Sequence, residues 1–167
     1  MKKSELKQLI KEEIQKSLKE VGEATTSPYS WKKTKYEDGI TYYDFKTDLG
    51  TIYKVSLDRF IYDNFPKINE ELPAIEVIFA VKEDKENYST GKVTNKGEIY
   101  RVMSTVVDII KSFISKNPEI KVIKYEPMKK EGEINSKRGE LYKAFIKKQI
   151  PTATFEESYF DVIVKLP

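Results

Sequence analysis

The apolar positions of this chain change period several times, and each change marks an element. Between Gly97 and Gln149 the pattern reads helix, strand, helix. Ile99, Val102, Met103, Val106, Val107, Ile110, Phe113 and Ile114 recur at helical spacing, with Glu98, Arg101, Thr105, Asp108, Ser112 and Lys116 on the opposite side. Asn117-Pro118 ends that helix, because proline cannot continue it and pushes its neighbour out of the α region. Glu119–Tyr125 then sets Ile120 and Val122 on one side and Ile123 and Tyr125 on the other, as in a central strand with both faces covered. A polar loop follows over 126–135. Asn135 or Ser136 can cap a second helix that turns Leu141, Tyr142, Phe145 and Ile146 inward and stops before Pro151.

Upstream, alternation predicts strands over Ile40–Thr47 and Thr51–Asp58, joined at Asp48-Leu49-Gly50, and a further central strand over Ile75–Lys82. Residues 59–74 read as a loop holding Pro66, Pro73 and an aromatic patch. Residues 83–96 read as a long polar loop. Ser158–Leu166 predicts a last strand. At the other end, Ser4 caps a narrow stripe of Leu6, Leu9, Ile10, Ile14, Leu18 and Val21. Periodicity is lost over 22–39. The chain therefore divides into an N-terminal amphipathic helix (1–22), a linker (23–39) and an α+β domain (40–167). The helix either docks on its own domain, tethers the chain to a partner or a second copy through Leu6, Leu9, Ile10, Ile14 and Leu18, or frays.

Charge and composition narrow the chemistry. Thirty basic residues against 27 acidic ones leave a net charge of +3, too balanced to point to nucleic acid. Cysteine and histidine are both absent. Disulfides, Cys/His zinc sites and histidine-based triads are thereby excluded, so acid–base work would fall to Asp, Glu, Lys or Tyr and any metal would need oxygen ligands. No metal site is expected: Asp44, Asp48 and Asp58 lack the spacing of a carboxylate site. No signal peptide or membrane span is read, and the expected setting is intracellular. Gly91-Lys92 fails as a phosphate loop, since Glu86 and Val93 occupy its required positions. Asn87-Tyr88-Ser89 reads as a chance glycosylation triplet. Trp31-Lys32-Lys33 with Lys35 and Tyr36 mixes basic and aromatic residues as single-strand binders do, against a plainer reading as a solvated linker with one anchoring tryptophan.

The order hairpin, strand, long loop, helix, strand, helix, strand resembles the core of GNAT-type N-acetyltransferases. The resemblance implies an α+β fold: a mixed sheet of about five strands with two covering helices and the detached N-terminal helix. It implies two parallel strands that part around acetyl-CoA, whose pyrophosphate would rest at Asn95, Lys96, Gly97, Glu98 and Ile99. Asn135, Leu141 and Tyr142 match the family's spacing on the next helix, where the tyrosine protonates the leaving thiolate. Arg138 stands in place of the family's alanine, Ile146-Lys147 replaces Gly-Phe, and the phosphate signature is reduced to one glycine beside an acidic Glu98. Tyr142 also reads as a core or rim tyrosine. The opening MKKSELKQLIKEEIQKSLKEV resembles that of small tailed-phage proteins.

The function expected first is thus a non-catalytic protein-interaction module. It would be a phage virion or accessory component in the host cytoplasm or virion, tethered by its first helix, with no cofactor and no CoA binding at millimolar ligand. An acetyl-CoA-dependent N-acyltransferase is the alternative. Single-stranded nucleic-acid binding comes third.

Overall fold

The computed structural model describes residues 27–63, 70–84, 87–89, 96–126, 137–157 and 161–167, with only the backbone of 96–97 and 137–138. Its strands are β1 (Trp31–Glu37), β2 (Ile40–Lys46), β3 (Ile52–Asp63), β4 (Glu71–Lys82), β5 (Tyr88–Ser89), β6 (Val122–Tyr125), β7 (Thr154–Glu157) and β8 (Val162–Lys165). Helix α1 (Lys96–Lys116) lies between β5 and β6, and α2 (Lys137–Gln149) between β6 and β7. The strands form one mixed sheet in the order β1-β2-β3-β4-β6-β8-β7, with β5 also on β4. Only β4 and β6 run parallel among the described pairs, as a crossover through α1 requires.

This corrects the expected layout. The molecule is a large eight-stranded sheet with two described helices, not a five-stranded GNAT-like arrangement. No detached helix is found among the described residues, and 1–26, where it was expected, lie outside them. Three strands had escaped the pattern. β1 lies in the stretch that reads as a linker, because all its residues after half-buried Trp31 are exposed. The strand turns into β2 through Asp38-Gly39, both at positive φ (51° and 85°), a conformation suited to a tight hairpin. β5 has two residues, too few for any period, and β7 carries a single apolar residue, Phe155. Within the expected loop at 59–74, residues 59–63 instead extend β3 and 71–74 begin β4, with Ile61 opposite Pro73 and Asp63 opposite Glu71, while 64–69 lie outside the described residues.

Both helices cover one face of the sheet. There Tyr43, Phe45, Tyr53, Val55, Leu57, Ile75, Val77, Ile123 and Val164 pack against Val102, Val106, Ile109, Phe113, Phe145 and Ile146. The other face holds a smaller cluster drawn from strands alone: Ala74, Val122 and Ile163 with Phe60, Tyr62 and Leu72.

The back of α1 is covered as well. Arg101 Nε donates to the Ser27 carbonyl (2.8 Å), Tyr29 N–H donates to Thr105 Oγ1 (2.9 Å), and Trp31 Nε1 donates to Asp108 (2.8 Å). Residues 27–31 thus form a strap along one side of the helix. The side that reads as polar is its docking ladder, which is why Thr105 is fully buried.

Candidate active-site cleft

The site begins where the sheet fails to close. β3 occupies one edge of β4 along its whole length, from Asp63 opposite Glu71 to Tyr53 opposite Val81. On the other edge, β6 pairs only with Ala74, Ile75 and Glu76. β5 takes up the same edge at Val81 and Lys82. Between them, Val77–Ala80 has no strand partner on this second edge among the described residues. Backbone N–H and C=O groups alternate along that open edge, and they require hydrogen-bond partners from outside the sheet.

A cavity of about 400 Å³ opens at this gap. On the helix side it is lined by Val77 and Phe79 of β4, by Met103, Val106, Val107 and Ile110 of α1, and by Tyr125, Tyr142 and Ile146. Glu76, Ile78 and Glu126 line it as well. By strand alternation Glu76 and Ile78 belong to the side opposite Val77, Phe79 and the two described helices. The cleft is therefore apolar on one side of the sheet and carries two carboxylates at the other. Glu76 is paired with Lys124 (3.1 Å), which also reaches Asp161 (3.5 Å). Burial pulls the Lys124 pKa down, but the two carboxylates outweigh it and the net shift is upward, so this lysine stays charged.

Tyr142 and Tyr125 meet at the cleft wall. Tyr142 is 6% exposed, and its ring stands edge-on to both Phe79 and Tyr125, each with centroids 5.6 Å apart. These rings end an aromatic chain that crosses the sheet from Tyr29 through Phe45, Tyr53 and Phe79. Tyr125 is the last residue of β6, held on its far side by Val162 of β8. Its hydroxyl is buried and makes no hydrogen bond with any described residue. Burial pushes the pKa of this phenol strongly upward, with Glu157, Glu140 and Tyr142 adding to the effect. The hydroxyl therefore keeps its proton and is a donor at any ordinary pH.

The remaining residues singled out from the sequence fall as follows. Of the suggested pyrophosphate seat, Asn95 lies outside the described residues, while Lys96 and Gly97 begin α1. Glu98 is buried and accepts the Leu49 N–H (3.3 Å) from the β2–β3 turn, so its carboxylate is turned toward the turn. Ile99 packs on the core. The cleft lies further along α1, at Met103–Ile110. Leu6, Leu9, Ile10, Ile14 and Leu18 lie outside the described residues, as do Asn135, Gly91 and Lys92. Trp31 is engaged with Asp108 and stands edge-on to Tyr43, leaving Lys32, Lys33, Lys35 and Tyr36 exposed on an edge strand. Asp48 is bound by Arg101 (2.7 Å), and no group of acidic residues able to hold a metal is found among the described residues.

Phe79, Glu76 and Glu126 were missed as site residues. The only signal for them in the sequence is their place on, or just after, the two strands joined by a crossover. No described helix is long and apolar enough to cross a membrane. The chain matches no family model, no curated protein and no solved structure.

Proposed function

We propose that this protein binds an acyl thioester in the cleft between β4 and β6 and transfers the acyl group to an acceptor amine. The observation that carries this reading is the open gap at Val77–Ala80, a ligand-sized cleft where a filled core would have favoured an interaction module. The unpaired β4 edge can bond the amides of an extended donor such as acetyl-CoA. In the proposed step the amine nitrogen attacks the thioester carbonyl carbon, an N–C bond forms and the C–S bond breaks. Glu126, exposed at the mouth, takes the amine proton, and Tyr142 gives a proton to the departing thiolate. Lys124 holds Glu76 beside it. An intracellular setting belongs to the same proposal.

Calorimetry with CoA and acetyl-CoA is the test. Micromolar binding is expected, with a turnover loss of roughly 10²-fold or more in Tyr142→Phe. No heat at millimolar ligand would return the protein to the class of non-catalytic modules.

A further inference from the structure

We infer that the Tyr125 hydroxyl is the hydrogen-bond donor that recognises a neutral carbonyl oxygen in the cleft. Its residue is 5% exposed, lines the cavity and sits where β4 and β6 part. Its hydroxyl has no partner among the described residues. A buried hydroxyl left unpaired is costly, so this one calls for an acceptor that the described residues do not supply, a role open to a water or to a ligand in the cleft. The nearest acidic groups do not serve. Glu140 and Glu157 are both bound by Lys143, the first at 2.8 Å. A protonated phenol therefore stands at the wall of a largely apolar cleft with no acceptor for its proton among the described residues.

The same surroundings select the ligand's chemistry. The side chains of Val77, Val106, Val107 and Ile110 supply no charge to pair with a carboxylate or phosphate, and burying an unpaired anion among them is costly. A ketone, amide or thioester oxygen fits, being a neutral acceptor on an apolar body. This inference rests on reading the cleft as a ligand site but requires no particular donor. In the acyl-transfer reading it gives Tyr125 a role separate from that of Tyr142: Tyr125 holds the carbonyl oxygen and stabilises the charge that develops there, while Tyr142 serves the leaving group.

The test compares cyclopentanone with cyclopentane, bodies of similar shape with and without a carbonyl, by chemical-shift titration of the full chain and of Tyr125→Phe. Phenylalanine keeps the ring and its packing. Cyclopentanone affinity should fall roughly two- to twelvefold in the variant, as for loss of one neutral hydrogen bond, with cyclopentane affinity unchanged. The carbonyl stretch of bound cyclopentanone should move to lower frequency in the parent protein and return in Tyr125→Phe. Equal ketone affinity and an unshifted stretch in both proteins overturn the inference, as does a failure of the ketone to bind. Acetyl-CoA separates the two claims. If it does not bind while the ketone is read through Tyr125, acyl transfer fails and this inference stands. If it binds and its carbonyl stretch is the same in Tyr125→Phe, the inference fails and acyl transfer stands.

Discussion

Single side chains in this protein do work that their type alone does not announce. Thr105 sits in the middle of α1, fully buried, donating to the Arg101 carbonyl (2.7 Å) and accepting from Tyr29 N–H. Thr105→Val keeps the shape but strands that N–H, so it should cost about 1–3 kcal/mol of stability by urea denaturation. Thr105→Ser should recover most of it. Tyr125 makes the opposite case. Its hydroxyl is buried without a partner, so Tyr125→Phe should leave stability at neutral pH unchanged or higher. The effect changes at alkaline pH. The Tyr125 pKa is raised in the folded state, chiefly by burial, so the folded protein keeps a proton that the unfolded chain releases near pH 10. The stabilising contribution is complete below about pH 10 and is lost progressively above it. Denaturation midpoints against pH should fall less steeply above pH ~10 in Tyr125→Phe than in the parent.

At the scale of elements, α1 shows what a hydrophobic pattern can and cannot reveal. Its apolar stripe is legible: Val106 and Ile110 are buried (3% and 4% exposed), as are Val102, Met103, Val107 and Phe113. Val106→Asp should unfold the chain, since an unpaired buried carboxylate costs several kcal/mol of a total of roughly 5–15 kcal/mol. A variant with an unchanged urea midpoint would refute the packing. The opposite side of α1 is not legible, because Arg101, Thr105 and Asp108 each take a partner from residues 27–31, more than seventy positions away. β1 fails for a related reason. Periodicity reports burial, and an edge strand of exposed lysines has little to report. Asp38-Gly39 is a strong local hairpin signal, but the polar residues around it read as linker. The inward turn of Tyr142, Phe145 and Ile146 on α2 is legible in the same way as the stripe of α1. The cleft is not, because a gap in strand pairing is set by where β5 and β6 stop along β4.

For the whole molecule, the strap ties residues 27–31 to the sheet and to α1. Tyr29 is 5% exposed and stacks on Phe45, with the Arg101 guanidinium 3.9 Å from its ring centre. Deleting residues 1–22 should therefore leave the thermal midpoint unchanged. Deleting 1–31 should lower it sharply, because a buried tyrosine and three hydrogen bonds to α1 are lost together. Light scattering on the first deletion also tests assembly through the N-terminal residues, where a lower oligomeric state is expected.

The brevity of the β4–β6 contact has a consequence in time. β1 to β4 pair antiparallel in chain order, each strand with the next, so these pairings are close in sequence. The three rungs between β4 and β6 join residues 48 positions apart, 74 against 122, so a long loop must close before they form. In refolding, the amides of β2 and β3 should gain protection from exchange first. Those of β6 and β8 should follow as a later step, which pulsed hydrogen exchange can resolve. The two walls of the cleft would then be made at different moments, and the cleft would come into being only when the second arrives.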